Sequence, residues 1–356
     1  MGGACVRRRV LARLLGRATQ VWTSRRPARG PWVQEARGHA AEGRRVLADL
    51  LARTPDTPAQ TRARALNAAG NLAFRQGDYT EATALLQQSL LERRAMGDTR
   101  GMALTLNNLG LVADEQGRHA DARAFFTESL ALKEQQGDQR GVANSLTNLS
   151  LVAGRQGDLA GAVALHQRSL ALLRDLGDRQ GAARALNNLA DALGHQGDFG
   201  GATALLKESA ALAREVGDHA VLAVTAQLEG FLAHRRGDQD GALTGYASAL
   251  RLRAKLGDKQ GLAETLEGLA TVWLARQEPE RAARLCGAAD AVRTAIGAPL
   301  PAAGHAAGDH IHAQLGEQLG VEELARLLAQ GHALPLDQAI DEALSETVAA
   351  PVAGTG

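Results

Sequence analysis

Glycine recurs in this chain at 77, 97, 117, 137, 157, 177, 197, 217, 237 and 257, and again at 297, a period of twenty residues that only Gln277 interrupts. Of the ten glycines from 77 to 257, all but Gly117 are followed by Asp; Arg118 is the exception. A Gly-Asp pair has a mechanical meaning. Glycine takes the left-handed conformation that closes a helix C-terminus without steric cost. The aspartate then accepts backbone N–H bonds as the N-cap of the next helix. Each pair therefore ends one helix and starts another, leaving about 18 helical residues per segment, roughly 27 Å of helix. Such a comb constrains the chain to an array of helices of one length.

Odd and even segments differ, so the true repeat is forty residues, a helix pair. First helices are expected at 62–76, 102–116, 142–156, 182–196, 222–236 and 262–276. Leu106, Leu109, Gly110 and Ala113 fall on one helix face, and the position of Gly110 is small in every repeat: Gly70, Ser150, Ala190, Gly230, Ala270. Second helices carry an alanine column (Ala82, Ala122, Ala162, Ala202, Ala242, Ala282). Four residues on lies a larger group: Leu86, Phe126, His166, Leu206, Tyr246, Cys286. Composition agrees with this plan. Aromatics make up 3% of a chain that is 45% hydrophobic, so the core is built from Leu, Ala and Val, which suits helices.

Leu106-x-x-Leu109-Gly110, followed by Ala122 and Phe126, resembles the tetratricopeptide repeat, with Leu where Trp is usual and forty residues in place of thirty-four. The resemblance covers six repeats. It implies an all-α solenoid of helix pairs coiled as a right-handed superhelix, with first helices on the concave side.

Residues 37–51, 65–79, 283–301 and 331–344 add a second likeness. They are similar to the repeat region that ends large actinobacterial signalling ATPases of the LuxR or antibiotic-regulator type. Arginine in place of lysine fits: the only lysines are Lys133, Lys207, Lys255 and Lys259. No lysine follows a glycine, so the Gly-Lys-Ser/Thr of a phosphate loop is absent, and no helix-turn-helix precedes the repeats. ATPase and DNA-binding activities are not carried over. The expected organisation is a basic, poorly ordered tail at 1–33, a degenerate leading repeat at 34–61, six repeats at 62–296, and a helical cap and tail at 297–356. Short helices are expected at 311–319, 321–330 and 336–344.

The near-neutral total, 40 basic against 39 acidic residues, hides a split. Residues 1–30 hold eight arginines and no acid. They read either as an arm for a membrane surface or nucleic acid, or as the divergent junction to an upstream module or a misplaced start. No apolar run is long enough to span a bilayer, and two cysteines, Cys5 and Cys286, make no disulfide framework. A cytoplasmic location is expected. His305, His310 and His312 lack the spacing and companions of a metal site. Cys286 and His166, in the large-residue column, read as packed. No cofactor, metal or catalytic set is expected.

The chemistry lies on the first helices. One column reads Asn67, Asn107, Thr147, Asn187, Gln227 and Glu267; the next residues include Asn108, Asn148 and Asn188. A further column reads Asn71, Leu111, Leu151, Asp191, Phe231 and Thr271. Asparagine is a poor helix former, and an amide can both donate to and accept from a peptide backbone. The expected site is a concave groove lined by Asn67, Asn71, Asn107, Asn108, Thr147, Asn148, Asn187, Asn188, Asp191, Gln227, Phe231 and Glu267. The other reading is that these amides bond between helices or face water. The expected function is a non-enzymatic protein- or peptide-binding module, a signalling adaptor whose partner could be a separately encoded ATPase or regulator, with nucleic acid not expected. The alternative is a small-molecule sensor whose ligand changes superhelix curvature.

Overall fold

The turns of the computed structural model, which describes residues 43–45, 47, 49, 57–296 and 302–345, show why the comb exists. All ten glycines from Gly77 to Gly257 have φ between +63° and +88°. After Gly97, Asp98 N–H donates to the Arg93 carbonyl at 3.0 Å while Gly97 N–H donates to Arg94 at 3.2 Å, the paired closure that a left-handed residue permits. Asp98 then accepts from Gly101 N–H at 2.9 Å. The same side-chain cap recurs at Asp138, Asp178, Asp198, Asp238 and Asp258. Arg118, the exception in sequence, makes no cap bond. Gln277 fills the missing tooth and adopts φ +64° itself.

Fifteen helices are described in full, and no strand occurs among the described residues. In the repeats they are α1 (Ala59–Arg75), α2 (Tyr79–Met96), α3 (Thr99–Glu115), α4 (His119–Gln135), α5 (Gln139–Arg155), α6 (Leu159–Asp175), α7 (Arg179–Gln196), α8 (Phe199–Glu215), α9 (His219–Arg235), α10 (Gln239–Leu256), α11 (Lys259–Ala275) and α12 (Pro279–Ile296). Then come α13 (Ala302–Leu319), α14 (Val321–Ala333) and α15 (Leu336–Leu344). Residues 1–33 lie outside the described residues. Of the expected leading repeat at 34–61, residues 43–45, 47 and 49 are helical, residues 59–61 belong to α1, and Leu47 packs with Ala65, Ala69 and Leu72.

The chain divides into two compact units, unit 1 ending at Leu172 and unit 2 beginning at Leu173. In each, consecutive helix pairs pack as a tetratricopeptide-like solenoid with forty-residue repeats. The small column of the first helices meets the large column of the second. A Cβ on Gly110 would stand 2.5 Å from the Phe126 ring, one on Gly70 2.7 Å from Leu86, and one on Gly230 2.9 Å from Tyr246. Where the small residue is Ser150, the large one is His166, and the two hydrogen-bond. The alanine column is buried throughout.

The first four helix pairs are also tied by a bond that apolar patterning does not reveal; alanine, at 249 and 289, holds that position in the last two. Ser89, Ser129, Ser169 and Ser209 are buried and donate to the carbonyls of Ala63, Ala103, Ala143 and Ala183 at 2.7 to 3.0 Å. A buried hydroxyl needs such a partner. In unit 2, α11 and α12 share one cluster with α13–α15, including Trp273, Leu285, Ile311, Leu315, Leu327 and Ala343.

Candidate functional site

Residues of the first helices at the spacing 60, 64, 67, 68, 71, 75 occupy one arc of about 100°. Repeated every forty residues, this arc forms a stripe within each unit, and every residue of the expected groove lies on one stripe or the other. The structure assigns its amides bonds between consecutive first helices. In unit 1, Asn67 Oδ1 accepts from Asn108 Nδ2 and from Thr105 Oγ1, each at 3.1 Å, joining α1 to α3. Asn148 Nδ2 donates to Asn107 Oδ1 at 3.0 Å, joining α3 to α5. These bonds use one end of each amide and hold four half-buried asparagines in fixed rotamers. Thr147 donates to the Ala143 carbonyl and lies 3.2 Å from Ser169 Oγ. Asn71 is half-buried on the same stripe.

Unit 2 departs from the expectation at two residues. Asn187 is 2% exposed, and both ends of its amide are spent on α9: it accepts from Thr225 Oγ1 at 3.0 Å and donates to the Val221 carbonyl at 3.4 Å. It is a packing residue, not a lining one, because the α7–α9 contact closes over it. Glu267 pairs with both Nη atoms of Arg293 on α12, which fixes it to the second helix of its own repeat. Gln227 accepts from Thr265 Oγ1 at 3.2 Å, joining α9 to α11. Asn188 is half-buried. Asp191, Phe231 and His195 do converge. His195 Nε2 stands 3.6 Å from Asp191 Oδ1, and its ring lies 5.3 Å from that of Phe231. Arg235 covers Phe231 at 5.7 Å. Burial raises the Asp191 carboxyl above the usual carboxylate range, and the neighbouring His195 pulls it back.

The amide columns did not disclose what surrounds them. In unit 1 the stripe exposes Leu104 at 54% and Leu151 at 47%, with Leu111 half-buried between them. It also carries Arg64, Arg75, Arg100, Arg140 and Arg155 against the single acid Glu115. Arg155 pairs with buried Asp114, which also binds His119 Nδ1 at 3.0 Å. Counting one turn either side of each asparagine would have found these residues. The corresponding stripe in unit 2 carries Arg184 and Arg235 against Asp191, Glu264 and Glu267.

A second set of charges is buried on the second helices, and one of them, Arg253, reaches Glu264 of the unit 2 stripe at 3.3 Å. Arg93, Lys133 and Arg253 occupy one second-helix position, and burial lowers the pKa of each. Lys133 Nζ donates to Ser145 Oγ at 2.7 Å. The arginines lie where a Cβ on Gly101 or Gly261 would collide with the guanidinium. Where the base is replaced by Ala213, the facing residue is Val221. The column is packing chemistry. Cys286 is likewise buried, its thiol pushed up to about 12 chiefly by burial, far from nucleophilic range. Among the described residues no group of three His, Cys, Asp or Glu could hold a metal ion, and no helix is long and apolar enough to cross a membrane.

The family profile of the tetratricopeptide repeat matches residues 61–135, 116–175, 141–215 and 181–255, together more than half of the chain. The chain belongs to the tetratricopeptide repeat family. No curated protein matches its sequence. Solved structures share its fold. A Rap protein complexed with competence and sporulation factor superposes with TM-score 0.61 at 14% identity, over 84% of this chain and 81% of that one. Aspartyl phosphate phosphatase F from Bacillus subtilis gives 0.61 at 12% identity, over 81% and 76%. A signal transduction ATPase with numerous domains and a tetratricopeptide repeat sensor, from Pyrococcus horikoshii, gives 0.55 at 14% identity; the match covers 85% of this chain and 46% of that one.

Proposed function

We propose that the chain is a protein- or peptide-binding module of a signalling system, and that the first-helix stripe of unit 1 is its binding face. The observation that carries this is the exposure of Leu104 and Leu151 beside amides already fixed in place. An isolated exposed leucine needs no explanation, but here two flank Leu111 on one face, where the bonded asparagines offer their second ends. Asn107 and Asn67 keep their amide N–H groups, and Asn108 and Asn148 keep their carbonyl oxygens, in the orientation assigned by the bonds already made. That is a set of donors and acceptors suited to an extended main chain. Holding the rotamers beforehand lowers the ordering cost of binding.

The neighbours support the same reading. One Rap structure holds a competence and sporulation factor, and the Pyrococcus protein uses its repeats as a sensor. With the likeness to the repeat region of actinobacterial regulators, they favour a sensor or adaptor working with an ATPase or regulator on another chain or domain.

The test is to pan a library of random displayed peptides on the purified chain and measure the enriched ones by fluorescence anisotropy. Asn108→Ala with Asn148→Ala, and Leu104→Ser with Leu151→Ser, should each weaken binding by about tenfold or more, about 1.4 kcal/mol. Circular dichroism melts report whether the fold survives. Enriched peptides that bind all variants as tightly as the wild type would sink the proposal.

A further inference from the structure

The charge of the same face identifies the chemistry of its occupant, an inference that rests on the binding role just proposed. Over the whole chain, basic and acidic residues balance, 40 against 39. The stripe of unit 1 does not share that balance, with five arginines and one acid. Neither α1 nor α5 contains an acidic residue. On other faces of the repeats, arginines are matched across helices: Arg62 with Glu92, Arg94 with Glu128 and Arg168 with Glu134, at 2.6 to 2.9 Å. Arg64 and Arg100 are exposed and pair with no carboxylate among the described residues. They are also close to the leucines. Arg100 is one turn before Leu104 on α3, and Arg64 holds the position of Leu104 on the preceding first helix. The bonds of Asn67 to Asn108 and of Asn107 to Asn148 set these helices side by side.

We propose that this face takes an acidic segment of a partner protein, one whose apolar side chains rest on Leu104, Leu111 and Leu151 and whose carboxylates pair with Arg64 and Arg100. A guanidinium is suited to this because its planar fork matches a carboxylate and is weakly hydrated. Nucleic acid would satisfy the arginines but leave the exposed leucines against a charged backbone. The stripe of unit 2, with three acids against two arginines, has the wrong sign for the same occupant. Electrostatic complementarity of this kind sets partner choice and association rate.

The panned peptides decide the matter, together with one defined pair of end-capped probes, leucine with glutamate and leucine with lysine. Capping both ends removes the terminal charges. Enriched sequences should be net negative with several aliphatic residues, and the glutamate probe should bind where the lysine probe does not. Arg64→Glu with Arg100→Glu should weaken acidic ligands about tenfold or more, and added salt should weaken them as well. Arg123→Glu, at an exposed position of α4 off the stripe, should change nothing. Neutral or basic enriched peptides that still need Leu104 and Leu151 would keep the binding face and overturn its acidic occupant. Enriched peptides indifferent to every stripe substitution would overturn both. A single-stranded oligonucleotide that binds through Arg64 and Arg100 while the glutamate probe does not would overturn the choice of a protein partner.

Discussion

His166 shows what one residue can owe to its repeat. Its column otherwise holds Leu86, Phe126, Leu206, Tyr246 and Cys286, so the imidazole sits where a hydrophobe belongs, 3% exposed. Its polar need is met by Ser150, which also donates to the Thr147 carbonyl. Burial pushes the His166 pKa down to about 4. In the unfolded chain the ring titrates near 6.5. Between those values the unfolded chain binds the proton and the folded one does not. Stability is therefore complete above about pH 6.5 and is lost as pH falls toward 4, by about 3 kcal/mol when the window has been crossed. His166→Leu, which keeps a partner for Ser150, should remove this acid sensitivity. Urea titrations of both proteins at pH 7 and at pH 4.5 would check it: a variant as acid-labile as the wild type would contradict the account.

At the scale of the element, the left-handed turn shows the same logic of local demand. Gln277 occupies a tooth of the comb at φ +64°, a conformation that places a side chain against the backbone and costs a non-glycine residue roughly 1 kcal/mol. Gln277→Gly should recover about that much, offset in part by the freer unfolded chain, and raise the melting temperature by a few degrees in a calorimetric scan. A lower melting point would mean that the Gln277 side chain makes a compensating contact. These turns were legible in the sequence because their requirement is local: one residue, one φ. The helices between them were legible for the same reason, although every first helix begins three residues before its expected start. Interfaces were only half legible. Gly110 and Phe126 stood out as columns, but nothing in the spacing said that one faces the other. The buried serines were invisible, since a mid-helix serine is equally at home in water. The asparagine ladder was visible as composition, yet whether an amide reaches a neighbouring helix or a ligand depends on the distance between first helices. At Asn187 that distance closes the site; at Asn108 and Asn148 it leaves one end of each amide unused.

For the molecule as a whole, repeat architecture distributes stability unevenly. Each helix pair is held chiefly by its neighbours, so local free energies do not merge into one value. Unit 1 holds its buried apolar residues in separate clusters, one around Leu86 and Leu106, another around Phe126 and Val152. Unit 2 ends in a far larger one, running from Ala233 on α9 to Ala343 on α15 and closed around the fully buried Trp273. Arg281 lies 3.7 Å over that indole and reaches the Glu342 carbonyl on α15 at 2.8 Å. The tightest approach in this region is glycine against backbone: a Cβ on Gly331 of α14 would collide with the Arg284 carbonyl, and one on Gly287 of α12 with that of Leu328. Neither carbonyl can move without its helix. Gly331→Ala should therefore cost about 1–3 kcal/mol of local stability. Hydrogen exchange followed by mass spectrometry should show amides of α11, α12 and α14 among the slowest in the wild type. In the variant, α12 and α14 should exchange faster while α1, α3 and α5 keep their wild-type rates. Equal acceleration in α1 and α14 would mean that the chain opens as one cooperative body, and the nearest-neighbour account would have to be abandoned.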